Sequence, residues 1–263
     1  MKRYSIYHIP VMSFFSKNLY RDVASQWKGT CFVYLLLLLI ICWIAPISKL
    51  NAGLGSFIDN EAPGIISQVP VITIANGTAS IKESQPYYIK DPETGKILFI
   101  IDTTGKITSL AETEATILLT KTEGVVRKSE METRTFSLAQ MEDLTLDQGL
   151  IWKFLTGAKK LLFPLVYPVC ILGSFIFRII QALIYGVIGM LFALMLHSKR
   201  PYDTLLRLAV VAVTPAIIIK TLVNLFGIGI PVPALWYFLI AMGYLFFGVK
   251  AASKDDGPAT ESA

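Results

Sequence analysis

Three long apolar stretches constrain this chain more than any other feature. They lie at residues 31–48, 161–196 and 204–249. A helix needs about 18 to 20 apolar residues to cross roughly 30 Å of hydrocarbon, where backbone amides can only be satisfied within the helix. Each stretch reaches that length. The sequence therefore predicts an integral membrane protein, and the polar residues between the first two stretches predict one folded domain outside the lipid.

The charge distribution separates the ends of the chain from its middle. The formal net charge is +5, yet residues 51–158 carry 14 Asp or Glu against 9 Lys or Arg. The basic surplus flanks the apolar stretches, as expected for membrane ends that stay in the cytoplasm near anionic lipid. This pattern excludes a nucleic-acid partner. Residues 1–30 hold one acidic residue, Asp22, against the basic residues Lys2, Arg3, Lys17, Arg21 and Lys28.

The same bias predicts four transmembrane helices with both termini in the cytoplasm. The basic residues before residue 31 hold the N-terminus inside, Lys199, Arg200 and Arg207 mark a second cytoplasmic loop, and Lys250 and Lys254 mark a cytoplasmic tail. The helices are then residues 31–48, about 170–196, 204–226 and 232–249. Lys159, Lys160 and Lys220 are left near the outer surface, where long side chains can snorkel.

The residues up to the first span predict an anchor. A cleaved signal peptide is the alternative for residues 31–48, but a leader of 30 residues is long for that role, and an uncleaved signal anchor is favoured. Within residues 12–27, Phe15, Leu19, Val23 and Trp27 recur at four-residue spacing between basic residues. This pattern is typical of an amphipathic helix in the inner membrane interface.

Residues 161–196 are too long for one simple span. A helix of that length would run about 54 Å, well beyond the hydrocarbon thickness. Pro164 and Pro168 can start, kink or end a helix, so residues 150–168 are predicted to be interfacial, with the span beginning near Val169. A hairpin turning at Arg178 is the alternative, although it lacks a Gly or Pro turn and places Lys199 outside. Whether one or two helices form stays open at this point.

The insert has the periodicity of strands. Val71–Ala75 and Thr78–Lys82 flank Asn76-Gly77, a dipeptide suited to a tight hairpin turn. Tyr87–Lys90 and Lys96–Asp102 flank a second turn that runs from Asp91 to Gly95. The stretches 115–121 and 125–136 predict further strands around Glu123-Gly124. The result is a small β-rich domain, with a meander as one arrangement, and Asn76-Gly77-Thr78 is interpreted as a turn in preference to a glycosylation site.

Several segments together resemble a known family. They are residues 14–23, Gln85-Pro86-Tyr87, residues 100–105, residues 202–209 and Thr214-Pro215. In combination they are similar to a bacterial integral membrane protein family of unknown function, number 1189 in the domain-of-unknown-function series. The closing spans also show a fainter likeness to Yip1-type membrane domains. The resemblance implies a bacterial cytoplasmic membrane and brings no catalytic residues with it.

Candidate catalytic and metal-binding groups are sparse. Asp102-Thr103-Thr104-Gly105 echoes an aspartic protease loop, but the extra threonine breaks the spacing and Asp102 is predicted to cap its own turn. Ser174 has no evident His or Lys base. The cysteines lie in apolar stretches, and no Cys/His cluster is present to bind zinc. We predict no catalytic residue, no metal site and no cofactor.

Polar residues inside the spans are the candidate contacts between helices. Arg178 and Gln181 lie three residues apart on one helical face, and Lys220 and Asn224 lie four apart on another. Ionisable groups in lipid are costly and face other helices or water. Arg178 is predicted to be buried with Gln181 and to meet Asn224 or a backbone carbonyl from another span. The small residues Ala182, Gly186, Gly189 and Ala193 offer the packing surface.

The sequence therefore predicts an α-helical integral membrane protein, with four transmembrane helices and a small β-rich extracytoplasmic domain between helices 1 and 2. Its parts are an N-terminal segment (1–30), helix 1 (31–48), the β-rich domain (51–158), helices 2–4 (161–249) and a disordered cytoplasmic tail (250–263). The expected function is non-enzymatic: the outer domain binds or senses a partner, and the helices contact the bilayer and another membrane or envelope protein. The alternative is a small transporter or permease accessory subunit. The sequence does not define an oligomeric state. The candidate surface of the outer domain consists of Gln85, Tyr87, Asp102 and Thr103.

Overall fold

The computed structural model describes residues 4–111, 113–129 and 132–253, and it divides into two compact units. The helical unit comprises the chain up to Lys49 and from Phe163 onward, and the β unit comprises Leu50–Leu162. The architecture is mostly helical, and small sheets occupy the middle of the chain. The α-helices are α1 (Ile9–Met12), α2 (Lys17–Gln26), α3 (Thr30–Ser56), α4 (Ala62–Ile66), α5 (Gln148–Leu161), α6 (Tyr167–Met195), α7 (Tyr202–Ala212), α8 (Thr214–Leu225) and α9 (Pro233–Ser253).

Among the described residues, four helical segments are long and apolar enough to cross a membrane. Each covers one of the predicted spans to within one residue, and each also extends beyond its predicted span at one or both ends. The prediction of a multi-pass membrane protein with four such helices is confirmed at this level. The segments are Thr30–Ile66, Gln148–Met195, Tyr202–Leu225 and Pro233–Ser253.

The second segment contains a local change of helical hydrogen bonding. A π-helical turn at Leu162–Val166 separates α5 from α6. Pro164 lies in this turn; a proline lacks the N–H of a normal helical residue and crowds the preceding carbonyl, so the turn widens. α6 then runs through Arg178 without a break. The alternative hairpin at Arg178 is therefore wrong, because no Gly or Pro there stops the helix.

The small-residue face of α6 packs on α7. Ala182, Gly186, Gly189 and Ala193 are buried, as the prediction of a packing surface requires. A Cβ added at Gly186 would lie 3.0 Å from the Tyr202 ring. Because the residues on this face have a methyl group or no side chain, the two helix backbones can approach each other closely.

α7 forms the centre of the helical unit, with α2, α6 and α9 packed around it. Residues 208–213 are fully buried. Arg207 is also buried and donates to Asp203 Oδ2 and Thr204 Oγ1, both at 2.8 Å. One of the three cations used to orient the second loop is therefore paired with a carboxylate within its own helix.

The N-terminal amphipathic helix exists as α2, but protein covers its apolar face. Leu19, Val23 and Trp27 are fully buried, while Phe15, before the helix, is 63% exposed. α2 packs against α9 and α7, and the ring of Tyr20 is edge-on to Phe247 with the centroids 5.5 Å apart. The apolar spacing therefore marks a helix packed in the bundle, and periodicity alone cannot distinguish that burial from burial in lipid.

The β unit contains two sheets. One has the strand order β2-β1-β8 and the other has the order β3-β4-β5-β6-β7. The first strand of the unit pairs with the last, antiparallel, with Ile72 opposite Leu146. The strands are β1 (Ile72–Ala75), β2 (Thr78–Ser80), β3 (Tyr87–Lys90), β4 (Ile97–Ile101), β5 (Ile117–Leu119), β6 (Glu123–Arg127), β7 (Thr133–Ser137) and β8 (Leu144–Leu146).

Both predicted hairpins are present. β1 and β2 pair antiparallel around Asn76 and Gly77, whose φ angles are 50° and 72°, the left-handed backbone of a tight two-residue turn. β3 and β4 pair antiparallel across the Asp91–Gly95 turn. The hairpin predictions are thus confirmed, since the turn residues alone specify this geometry.

The predicted meander is wrong, and so is the predicted position of the third turn. β4 and β5 pair in parallel, with Ile100 opposite Leu118, and a meander contains only antiparallel neighbours. Gly124 lies within β6, and the stretch predicted from 125 to 136 contains parts of two strands, β6 and β7. Parallel pairing requires a crossover connection, here residues 102–116, and no local turn signal reveals it.

The predicted tail begins later than expected. Lys250 and residues 251–253 belong to α9, so the helix continues past the predicted boundary at residue 250. Residues 254–263, on which the rest of the tail prediction rests, lie outside the described residues. The end of α9 is held by two arginines, because Arg21 Nε donates to the carbonyl of Ala251 at 3.0 Å and Arg200 Nη2 donates to that of Ala252 at 2.7 Å.

Candidate functional site

A polar cavity lies among three helices of the helical unit. Its volume is about 360 Å³. Apolar side chains form much of its wall, but charged, amide and hydroxyl groups point to the same space. α3 contributes Leu39, Cys42, Trp43 and Pro46, α6 contributes Gly173, Ser174, Phe177 and Arg178, and α8 contributes Ile217, Lys220, Thr221 and Asn224.

Arg178 is the central polar residue of this cavity. Its Nη1 donates to Gln181 Oε1, and Gln181 Nε2 donates to the Tyr185 hydroxyl at 2.7 Å. The three residues therefore form one polar row along α6, since positions three and four apart share a helical face. The predicted neighbour Asn224 lines the same cavity. The hydrogen bond of Arg178 goes to Gln181 on its own helix, and Asn224, the predicted partner from another span, shares only the cavity with it.

Direct polar contacts join the helices beside the cavity. Trp43 Nε1 of α3 donates to Ser174 Oγ of α6 at 2.8 Å. Lys49 Nζ, further along α3, donates to the carbonyls of Leu225 and Asn224 at the end of α8. The Asn224 carbonyl also accepts from the Gly227 amide at 3.3 Å. The lysine adds a donor at the end of α8, where the carbonyls of the last turn have few helical partners. The spans are thus held together by polar contacts as well as by packing.

Sequence reasoning found part of this cavity and missed the rest. Asn224 was predicted as a neighbour of Arg178 and lines the same cavity, whereas Lys220 was assigned to the outer surface and not to this space. Trp43 and Cys42 were read only as apolar residues of the first span. A tryptophan and a serine in two different spans give no pairwise signal in one sequence, because their contact depends on the relative rotation of two helices.

The β unit contains a second cavity of about 340 Å³ with almost entirely apolar walls. Ile72 and Leu146 reach it from one sheet, and Phe99 and Ile117 reach it from the other. The cavity is open, since Thr116 on its wall is exposed. An open apolar space on a small domain is the usual form of a binding site. The remaining lining residues are Ile65, Val69, Ile89, Leu98 and Ile151.

The four candidate surface residues of the β unit cluster at one end of β3 and β4, where they form hydrogen bonds with one another or with the backbone. Gln85 Oε1 accepts from both the amide and the hydroxyl of Thr103. The Tyr87 hydroxyl donates to the Gln68 carbonyl at 2.7 Å. Asp102 is fully buried. Asp102 is therefore unavailable to a partner, and the group as described stabilises the fold.

Asp102 caps its turn, as the sequence predicts. Its Oδ1 accepts from the Thr104 amide at 2.9 Å and from the Thr104 hydroxyl, and its Oδ2 accepts from the Ile107 amide. Burial acts to raise the pKa of Asp102, but the hydrogen bonds from Thr104 and Ile107 favour the ionised form and hold the pKa below its ordinary value.

The described residues contain no group of three or more His, Cys, Asp or Glu side chains placed to hold a metal ion. The cysteines form no disulfide within the described residues: Cys31 is buried and Cys42 and Cys170 are partly buried. The two cavities offer a ligand hydrogen-bonding groups, positive charge and apolar surface.

Together the fold and the two cavities define a multi-pass membrane protein with a small β unit encoded between its first and second spans. The chain belongs to the family described as a protein of unknown function (DUF1189), which it matches over residues 10–249. This confirms the resemblance seen in the sequence, while the likeness to Yip1-type domains stays a prediction. Among curated proteins no match was found, and no solved structure matches.

Proposed function

We propose that this chain is a non-enzymatic protein of the bacterial cytoplasmic membrane whose β unit lies outside the cytoplasm and binds a partner. The helical unit serves as its anchor. The observation that carries the proposal is the open apolar cavity of the β unit, about 340 Å³ in volume. Such a cavity leaves aliphatic side chains in water, which is unfavourable by about 25 cal/mol for each Å² of apolar surface until an apolar group covers it.

The charge distribution supports this orientation. The basic residues of the N-terminal segment and of the loop at Lys199 and Arg200 fit cytoplasmic ends, and the acidic balance of residues 51–158 fits translocation to the outside. Both termini are then cytoplasmic. Arg207 adds little to this argument because Asp203 pairs with it.

The occupant we propose is an apolar side chain of another envelope protein. The cavity walls offer almost no polar group that could orient a small polar ligand. The acidic balance of residues 51–158 opposes anionic lipids and fatty acids, because like charges repel across the short distances at which headgroups sit. A protein segment can bring an apolar side chain without a negative charge.

A photo-crosslinking amino acid at position 116 tests the proposal in intact cells. The full-length variant should form an adduct with another envelope protein, because the native Thr116 lies exposed on the cavity wall. Ile151→Trp fills the cavity from α5 and should abolish that adduct. Phe154→Trp is the matched control: Phe154 is on the same helix, is 75% exposed and does not line the cavity, so the adduct should persist.

The result identifies the class of function. An adduct that survives Ile151→Trp contradicts binding in the cavity, and so does a lipid adduct in place of a protein. A crosslinker at exposed Lys106, outside the cavity, should not give the same product.

The second candidate function is a small transporter or permease accessory subunit, and the polar cavity beside Arg178 is the observation that favours it. Ionisable groups within spans often mark a solute path. A deletion strain with a solute-dependent uptake defect, restored by the native gene and not by an Arg178→Gln gene, would support this candidate. Uptake that is indifferent to the deletion would reject it.

A further inference from the structure

The cavity of the helical unit collects positive charge without negative charge to balance it. Arg178 and Lys220 both line it, and none of its lining residues is Asp or Glu. Within the described part of the helical unit, the acidic residues are Asp22 and Asp203. Asp22 accepts from Trp27 Nε1 at 2.8 Å, and Asp203 accepts from Arg207 at 2.8 Å. Neither carboxylate lines the cavity.

Several hydrogen-bond donors of the cavity remain unused. The hydrogen bond of Arg178 to Gln181 uses one terminal nitrogen, which leaves most of the five N–H groups of the guanidinium. Across the residues the structure describes, the Lys220 ammonium and the Asn224 side-chain amide have no hydrogen bond. These donors come from two helices, α6 and α8, and they face a common space.

Two cations that line one cavity repel each other until an anion neutralises them, and the buried share of the cost falls on Arg178. A charged side chain near the bilayer centre costs about 2.5 to 3.5 kcal/mol even on insertion scales. The hydrogen bond to Gln181 satisfies one donor of Arg178, but Gln181 is neutral and does not balance the positive charge. No carboxylate of the described helical unit lines this cavity. An anion bound from outside the protein would supply the missing negative charge.

We propose that this cavity binds a phosphate monoester group, with Arg178, Lys220 and Asn224 as its ligands. A phosphate monoester carries about −1.5 to −2 charge at pH 7 and three strong acceptor oxygens, which matches two cations and an amide. A carboxylate carries a single negative charge, so it would balance only one of the two cations. This site does not depend on the partner proposed for the β unit.

The walls of the cavity favour a lipid as the source of the phosphate. Leu39, Phe177 and Ile217 surround the polar groups with hydrocarbon. Phe177 is 62% exposed on the outer surface of α6, so the cavity opens towards the lipid-facing side of the bundle. A phosphate attached to an acyl chain can fill both the polar and the apolar part, whereas a free phosphate fills only the polar part.

Calorimetric titration of the purified full-length protein in a nonionic detergent tests the site. Dioctanoyl phosphatidic acid should bind saturably at one site, and dioctanoyl phosphatidylcholine should not. Arg178→Gln and Lys220→Gln should each weaken binding by about 10-fold or more, the usual effect of losing a charge-assisted hydrogen bond. Lys250→Gln removes a cation at the end of α9, outside the cavity, and should leave the affinity within about twofold.

A further variant separates binding from folding. Asn224→Asp places the missing carboxylate in the cavity, so it should abolish phosphatidic acid binding while leaving the Tm of the unliganded protein equal or higher. Arg178→Lys keeps a charge and should retain part of the affinity if Arg178→Gln folds poorly. A structural role alone would not link lower affinity to unchanged or higher thermal stability.

The outcomes discriminate clearly. Equal binding of phosphatidylcholine, or unchanged affinity in folded Arg178→Gln and Lys220→Gln proteins, overturns the proposal. Inorganic phosphate that binds as tightly as phosphatidic acid, with the same loss in both variants, upholds the phosphate site and overturns the lipid source.

Discussion

Gly248 is predicted to be the least replaceable glycine of the helical unit. A Cβ at this position of α9 would lie 2.6 Å from Tyr20 Cδ1 and 2.9 Å from Tyr20 Cε1. The Tyr20 ring cannot move aside easily, because it is fully buried and its hydroxyl donates to the Ser13 carbonyl at 2.8 Å. Gly248→Ala should therefore force α2 away from α9.

The magnitude follows from two opposing terms. Overpacking a buried contact costs about 1 to 3 kcal/mol, and Ala in place of Gly within a helix returns at most about 1 kcal/mol. From the middle of the overpacking range, about 2 kcal/mol, the net destabilisation is then about 1 to 2 kcal/mol. For a chain of this size, each kcal/mol corresponds to roughly 2 to 4 °C in Tm, so the Tm should fall by about 2 to 8 °C.

The assay is thermal unfolding of full-length protein in detergent, with Gly243→Ala as the matched control. Gly243 is on the same helix, and a Cβ there would meet nothing within 4 Å, so the control should be neutral or slightly stabilising. If both alanine variants have the same Tm, the close approach of α2 to α9 is not a stabilising contact and the reasoning fails. Tyr20→Leu combined with Gly248→Ala should recover part of the loss.

Three further outcomes are expected. Asp102→Asn should destabilise the β unit by about 1 to 3 kcal/mol, measured as faster hydrogen exchange over residues 103–107. Because the pKa of Asp102 is lowered in the folded protein, its contribution to stability is complete above about pH 4 and is lost as the pH falls through the folded pKa. The stability of the variant should therefore depend less on acid, and an equal acid response of the two proteins would contradict this. A cysteine at Thr94 should react with an impermeant reagent in intact cells and one at Ser198 should not, and the reverse labelling would reject the proposed orientation. The Arg178→Leu protein should insert normally, since Leu enters the bilayer more readily than Arg, but its Tm in detergent should be lower. An unchanged Tm and unchanged partner copurification would show that Arg178 only snorkels to the membrane interface.

Features written in a few adjacent residues were predictable from the sequence. The spans follow from uninterrupted apolar length, and the β1–β2 turn follows from Asn76-Gly77, whose backbone angles need no distant contact. The Asp102 turn is of the same kind, because its partners lie two and five residues away.

Features that depend on distant contacts were not predictable. The parallel pairing of β4 with β5 is decided by a crossover and by which apolar faces meet. α2 carries the pattern of a lipid-bound helix, and only tertiary packing shows that α7 and α9 cover it. The polar cavity also depends on distant contacts. The sequence shows two polar pairs on separate helices, but it does not show the helix rotation that brings Lys220 and Arg178 to the same cavity.

The pairing of β1 with β8 also governs when the β unit can complete its fold. Ile74 lies opposite Leu144, and ribosomes add about 5 to 20 residues per second, so roughly 4 to 14 seconds pass between synthesis of these two partners. During that interval β1 has β2 on one side and an unpaired edge on the other. An unpaired edge is a template for other strands. The nascent chain therefore exposes this edge before its second span is complete, and a chaperone or a neighbouring copy can capture the newly made protein there.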